Sequence, residues 1–373
     1  MKKDFCVIGG GIAGLSIAAE LARDNSVVLL EREKDLAYHT TGRSAALYSE
    51  LSADSTALVL SKLTRPFLRQ PPEGFSEYPL YEDIECIFTA SEDELELLEA
   101  SRNKLDDPQI LSAGEMLERV PVLRTGSKHA HSGLLEKASF RIDVGALVQG
   151  FRNQLRQRGG EIQCDAEVVD LSSTGANWRV ELGDGSRIDC ASVINASGAW
   201  GDVVAERAGV TAIGLSPMRR NIIIFDGPED TELAQWPAVA SIAGTYYFLP
   251  EAGKLMGSAA DEVPSPPCDA QPEEYDVALA AHNIETATTL EITHIEHKWG
   301  GLRTFSPDRQ LVAGYDADNP GFFWLVGQGG FGIQTSAAAA RVAAQLAMKN
   351  SLDQDFIDAG IKAELLSPSR FSS

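Results

Sequence analysis

The chain opens on an uninterrupted apolar run, Phe5-Cys6-Val7-Ile8, followed by a cluster of small residues and then a helix-like stretch from Leu15 to Arg23. That order reads as a buried strand, a tight turn and a helix. A second apolar run, Val27-Val28-Leu29-Leu30, follows at once and completes a β-α-β unit. Near the other end, Phe322-Phe323-Trp324-Leu325-Val326 has the continuous apolar character of a strand covered on both faces, and an alanine-rich stretch from about Ile333 to Lys349 predicts a helix. Between these ends, Glu161–Gln163, Ala166–Leu171, Trp178–Leu182 and Arg187–Asp189 predict short strands, with Gly183-Asp184-Gly185 as a hairpin turn. A further strand, Ala191–Ala196, runs into the small-residue turn Ser197-Gly198-Ala199-Trp200, which suits a backbone passing close to a nucleotide.

The first turn carries chemistry. Gly9-x-Gly11-x-x-Gly14 lies between strand and helix, where glycines allow a tight turn, a close approach to a pyrophosphate and close helix–strand packing. The helix start would offer free N–H groups and the positive end of a dipole. Glu31 ends the second strand, about twenty residues beyond Gly9, where a carboxylate binds a ribose hydroxyl and repels a 2′-phosphate. FAD or NAD is therefore expected, and NADP is disfavoured. Gly327-x-Gly329-x-x-Gly332 repeats the pattern near the C-terminal end, but the residues after Lys349 are few and polar, so no second strand with its acid can follow. This second motif is read as a helix aimed at the electron-rich edge of a flavin, so that both ends of the chain serve one cofactor.

Two intervening stretches, from about Phe75 to His131, with Ile84-Glu85-Cys86-Ile87-Phe88, and from about Ile213 to Lys298, are rich in β-formers and acidic residues. They predict one inserted domain. The expected fold is α/β: a Rossmann-like FAD-binding domain from residues 1–74, 140–212 and 299–373, with an α+β substrate domain of mixed or antiparallel sheet from 75–139 and 213–298. Asp261 to Pro272, with Pro264, Pro266 and Pro267, reads as a surface loop.

Composition narrows the partners. With 373 residues, 44% of them apolar, the chain can bury a large core, and its net charge of −22 opposes nucleic acid and anionic membrane surfaces. The charge weighs against a role in tRNA modification. Cys6, Cys86, Cys164, Cys190 and Cys268 form no CxxC pair, and the close histidine pairs His129/His131 and His294/His297 read as ordinary strand or loop residues, so no metal is expected. Met1-Lys2-Lys3 imitates a signal peptide, but Asp4 interrupts it and cleavage would remove the glycine motif. A cytoplasmic protein is expected, at most peripheral to the inner membrane, because no apolar run is long enough to span a bilayer.

Taken together, VIGGGIAGLS, LLEREK, TTGRSAALY, VINASGAWGD, KWGGLRTFSPDRQLVAGY and GQGGFGIQTSAAAA resemble, in order and spacing, the D-amino-acid oxidase family, which includes glycine and sarcosine oxidases. Within it the likeness extends to bacterial FAD-dependent D-arginine dehydrogenases. The resemblance implies that Glu31 and Arg32 bind the adenosine side and Val168 the adenine. It assigns Thr41, Gly42, Arg43, Ser44, Ala45 and Ala46 to the pyrophosphate and ring. Gly330, Phe331, Gly332, Ile333, Gln334 and Thr335 fall at the flavin pyrimidine edge. Gly9, Gly11, Ala13, Gly14, Ser197, Gly198, Gly301 and Arg303 complete the cofactor set. Covalent family members carry a linking cysteine near the position of Gly301, so a non-covalent, dissociable FAD is implied.

The resemblance also implies that Arg303 and Arg220 hold a substrate carboxylate, with Tyr247 or its neighbour Tyr246 adding a hydrogen bond. Glu85 falls near an acidic side-chain recogniser, with an ordinary surface role equally open. Leu47 and Ser52 replace a histidine and a lid tyrosine of the D-arginine enzymes, which argues against D-arginine itself. The implied reaction is oxidative deamination of a D-amino acid: hydride moves from Cα to flavin N5, and the imino acid hydrolyses to a 2-oxo acid and ammonia. Glycine, an N-methyl amino acid or a 2-hydroxy acid is the alternative substrate, and oxygen, a quinone or another carrier the electron acceptor.

Overall fold

The computed structural model describes residues 2–53 and 55–371. Among the described residues the strands form sheets of eight, nine and three strands, with helices on the faces of the first.

In the eight-stranded sheet, Lys3–Ile8 lies between Val27–Leu30 and Arg187–Asn195, parallel to both, and Phe322–Val326 runs parallel to the latter. These strands are apolar without alternation because both faces are covered. On one face the helix Ile12–Leu21 buries Ile12, Leu15, Ile17, Ala18, Ala19 and Leu21 in one core with Ala338, Val342 and Ala343 of the helix Ser336–Ala347. The two segments expected at Arg187–Asp189 and Ala191–Ala196 are a single strand. Its first half pairs antiparallel with Trp178–Leu182 and its second half parallel with Phe322–Val326, so the step at Cys190 between them marks a change of neighbour and not a break.

The nine-stranded sheet draws on both intervening stretches, joined where Ala238–Ser241 runs parallel to Cys86–Ala90. Its longest ladder pairs Ser216–Phe225 with Ile295–Phe305. The boundary expected at residues 298/299 falls inside this last strand, which leaves the sheet only after its side chains have reached the cofactor loops. Val263–Pro264 adds a short edge strand within the expected surface loop, because proline at an edge loses no ladder bond. Leu47–Tyr48, Phe140–Ile142 and Tyr81–Asp83 make the small third sheet beside the site.

The helix expected from Ile333 begins at Ser336. Residues 332–335 are turns, in which Thr335 N–H and Oγ1 both bond the Phe331 carbonyl, at 3.0 and 2.9 Å. One of the first helical N–H groups, that of Ala338, is already taken by Thr64 Oγ1 at 3.1 Å. The helix start is therefore partly capped from within the protein and set back from the cofactor cavity described below.

Candidate active site

One long cleft runs from Glu31 and Val168 at one end to Arg220, Arg303 and Gly330 at the other. Its nucleotide end is shaped by backbone. Gly9 sits at φ +110°, where a Cβ would meet the Ala196 carbonyl oxygen at 2.5 Å, and a Cβ on Gly14 would lie 1.9 Å from the Gly9 oxygen. Glu31 uses one carboxylate oxygen to accept from Gly10 N–H at 2.6 Å and the other to accept from Glu33 N–H at 2.9 Å. Each oxygen keeps a lone pair for a ribose hydroxyl. Arg32 stacks on Trp200, its guanidinium carbon 3.9 Å from the ring centroid, and pairs with Glu33. Ala13, Val168, Ser197 and Gly198 also line this end.

The middle is built by docking the loop Thr40–Ala46 onto the strand Ile295–Phe305. Thr40 Oγ1 donates to Leu302 O at 2.7 Å, and Trp299 Nε1 donates to Arg43 O at 3.0 Å. Arg43 donates to Ala270 O at 2.9 Å and Gly300 O at 3.2 Å and pairs with Asp269, so its guanidinium fastens the loop of the expected surface segment across this joint. Thr41 Oγ1 accepts from Ile12 N–H at 3.0 Å, at the start of the first helix. Gly11, Ser44, Ala45 and Gly301 line the cleft beside it.

At the far end, residues directly opposite on paired strands share a face, and the ladder puts Arg303 opposite Met218 and Arg220 opposite Gly301. Both arginines therefore face the cleft, and both line it. They differ in what holds them. Arg220 Nε donates to Asp261 O at 2.9 Å and its Nη2 to Ala260 O at 2.8 Å, with Glu262 at 3.4 Å. Arg303 has no ion pair or hydrogen bond with any described residue, although burial and then Arg220 push its guanidinium down to about 10. A Cβ on Gly330 would sit 2.5 Å from Arg303 Nη1, so the glycine loop leaves the space this cation occupies. The Tyr247 hydroxyl is buried and also unpartnered, whereas Tyr246 turns inward and shares a 2.8 Å hydrogen bond with Thr89. Tyr247 does not itself line the cleft, but it is near enough to act electrostatically on Arg303. A cation lining the cleft with an unsatisfied hydroxyl near it calls for an anion.

Several expected residues lie elsewhere. Glu85, just before the strand Cys86–Ala90, pairs with Arg119 on the wall of a separate surface pocket. Gly14, Gly42, Ala46, Phe331, Gln334 and Thr335 do not line the cleft. Gly14 and Gly42 instead make close backbone packing possible, with Gly42 against the Ala37 carbonyl. Gln334 holds the loop after Tyr48: it accepts from Ser49 N–H at 3.3 Å and donates to Ser49 O at 3.1 Å and Ser61 Oγ at 2.8 Å. Arg207, which sequence reasoning passed over, lines the cleft beside the adenine position and donates to Val168 O and to Glu167 at 3.0 Å. Its signal was a lone basic residue in the helix that follows Trp200.

The loop after Tyr48 has a second anchor. Glu136, only 1% exposed, accepts from Ser49 Oγ at 2.8 Å and Glu50 N–H at 2.6 Å, while Glu50 pairs with Arg65 at 2.8 Å. Burial raises the Glu136 carboxyl above its ordinary value. A raised folded-state value means stability that is fully present at acid pH and lost as pH climbs through that raised value. Wild-type thermal stability is thus expected to fall with rising pH over this window, and Glu136→Gln to flatten the profile. Thermal melts across the range check this, and an equally steep profile in the variant counts against it.

The cleft fits a dinucleotide, since its glycine cradle, ribose acid and unpartnered cation line a single channel. Among the described residues no group of histidine, cysteine or acidic side chains is placed to hold a metal, and no helix is long and apolar enough to cross a membrane. Residues 4–346 match the model of the DAO family, described as FAD dependent oxidoreductase. The FAD-dependent oxidoreductase domain-containing protein 1 of Bos taurus is 24% identical over 93% of this chain and 82% of its own length. The L-2-hydroxyglutarate dehydrogenase of Salmonella houtenae is 27% identical over 56% of this chain and 50% of its own. Among solved structures, glycine oxidase from Geobacillus kaustophilus superposes with a TM-score of 0.82 at 20% identity, covering 97% of this chain and 98% of its own. L-Proline dehydrogenase from P. horikoshii does so at 0.84 and 20%, covering 100% and 98%.

Proposed function

From the premise that this chain belongs to the DAO family of FAD-dependent oxidoreductases, we propose that it oxidises the C–N bond of a small amino acid, preferentially a D-amino acid, to an imino acid. The comparisons support the resemblance at the level of the family and not at that of the D-arginine dehydrogenases. The observation that carries the proposal is the Arg303 guanidinium, unpartnered among the described residues at the inner end of the FAD cleft, with the unpartnered Tyr247 hydroxyl near enough to act on it.

Arg303 receives the substrate carboxylate through its planar fork, Tyr247 donates a further hydrogen bond, and Arg220, fixed by backbone carbonyls, adds positive charge from the same face. The carboxylates and the histidine lining the cleft are Glu31, Glu167 and His39, all toward the nucleotide end. No protein base is thus assigned to the substrate amine, which binds neutral, and catalysis rests on positioning. FAD, when bound, supplies the hydride acceptor. Glu31, Arg32, Val168 and Ser197 would hold its adenosine half, and Thr41, Ala45, Gly301 and Gly330 would flank its ring. None of the described cysteines lines the cleft, which favours a dissociable flavin.

Anaerobic mixing with D- and L-amino acids, glycine, N-methyl amino acids and 2-hydroxy acids tests the reading, with loss of the flavin colour as the signal. Bleaching by D-amino acids is the expected result, and bleaching by 2-hydroxy acids alone overturns it. The rate at which colour returns on admitting air separates oxygen from a quinone or other carrier. Tyr247→Phe is expected to raise KM about tenfold with kcat little changed, since a hydrogen bond to a charged group contributes about 1.5–3 kcal/mol. Steady-state kinetics check this, and an unchanged KM removes Tyr247 from the clamp.

A further inference from the structure

Beyond the arginines the cleft meets one face of the nine-stranded sheet. Its register sets Ile222 opposite Trp299, Tyr247 opposite Ser258 and Ala240, and Ala240 opposite Phe88, so these residues share that face. Ile222, Phe88 and Leu51 belong to one buried apolar cluster, against which Ala45, Leu47, Tyr247 and Trp299 pack while only partly buried. Ala45 and Ile222 also line the cofactor cleft, so cluster and cleft are continuous. Leu47 reaches the cluster because Tyr48, next to it on a two-residue strand, turns the opposite way and stacks on Phe140 with ring centroids 4.4 Å apart.

Apart from the Tyr247 hydroxyl, the polar groups described around this wall are engaged elsewhere. Ser258 Oγ donates to Asn221 O at 2.6 Å, and Glu262 is shared by Arg220 and Arg309. Glu85 pairs with Arg119, Glu50 with Arg65, and Glu136 holds the loop after Tyr48. Among the described residues an ammonium or guanidinium entering here would find no free anion, and a second carboxylate would be pressed into hydrocarbon.

Resting on the amino-acid reading above, we infer that the substrate carries an uncharged, apolar side chain that packs against Leu47, Ile222, Tyr247 and Trp299. Its carboxylate is held by the arginine end, and its side chain extends away from the flavin toward the sheet. Leu47 is then a specificity-determining residue.

The test uses carboxylic acids that have no oxidisable C–N bond, added to the holoenzyme and read as perturbation of the bound flavin's absorption spectrum. From propanoate to hexanoate, affinity is expected to rise about fourfold per added methylene, the increment for burying one such group. Ending the chain in an ammonium, guanidinium or carboxylate group, as in 6-aminohexanoate or adipate, is expected to weaken binding by at least tenfold. A flat series, or tighter binding of a charged end, overturns the inference while leaving the clamp intact, since short acids still perturb the flavin. If no acid perturbs it, the clamp falls and the inference with it. In Leu47→Asp the preference is expected to invert, hexanoate losing at least tenfold and 6-aminohexanoate gaining. An unchanged profile in this variant also overturns the inference, and if the variant does not fold, the wild-type series decides alone.

Discussion

Replacing Arg303 by alanine is expected to raise KM about a hundredfold or more while the protein stays yellow. The guanidinium of this half-buried residue has no partner among the described residues and is depressed by desolvation and then by Arg220, a state that a bound carboxylate relieves. Truncating one member of a buried, hydrogen-bonded charge pair costs about 2–5 kcal/mol, which sets the size of the effect. Arg303→Lys should recover part of it, since a point charge replaces the fork without its two parallel hydrogen bonds. Flavin content is the control, because Gly330 has no side chain for the guanidinium to support and the nucleotide end of the cleft is far along the chain. Steady-state kinetics on the best bleaching substrate, together with the flavin-to-protein absorbance ratio, decide the matter. Near-normal kinetics would refute the clamp, and loss of colour would show that Arg303 holds the cofactor rather than the substrate.

Gly14→Ala is expected to yield protein without flavin, poorly folded or both. A Cβ there meets the Gly9 carbonyl at 1.9 Å, and both atoms belong to backbone fixed between strand and helix. No rotamer relieves such an overlap, so either the helix Ile12–Leu21 moves off the sheet or the Gly9 turn opens. Either movement displaces the N–H groups that face the pyrophosphate. Gly11→Ala is the milder comparison, its Cβ meeting only Thr41 Oγ1, at 3.3 Å. Bound flavin and melting temperature, measured on both, should rank Gly14→Ala far below Gly11→Ala, and equal flavin retention in the two sinks this account of the turn.

The cofactor half of the site was legible because dinucleotide binding constrains local sequence: strand, glycines, helix, strand and acid must follow in order, and Gly9 to Glu31 do so. The substrate half depends on pairing between distant strands, which local patterns do not encode. Arg303 shares a face with Arg220 because it stands opposite Met218, and the two neighbouring tyrosines differ through sheet register, which buries the Tyr246 hydroxyl against Thr89 and leaves that of Tyr247 free. Glu85 failed for a like reason, its partner Arg119 being distant in sequence. The late start of the helix Ser336–Ala347 was hidden because Ile333, Gln334 and Thr335 fit a helical pattern equally well as turn residues. Only Thr64, contributed by another helix, shows where the first free N–H groups lie.

The central position of Lys3–Ile8 sets a timetable for maturation. This strand, which precedes the others in the sequence, has as one neighbour Arg187–Asn195, and the cleft beside it is closed by Gly330 and Ile333. Closing such distant contacts is slow and must wait for the late segments to be synthesised. A nascent chain that has not reached these residues has no complete cradle, so flavin capture waits for them, and chains stalled before Phe322 should emerge colourless however much FAD surrounds them.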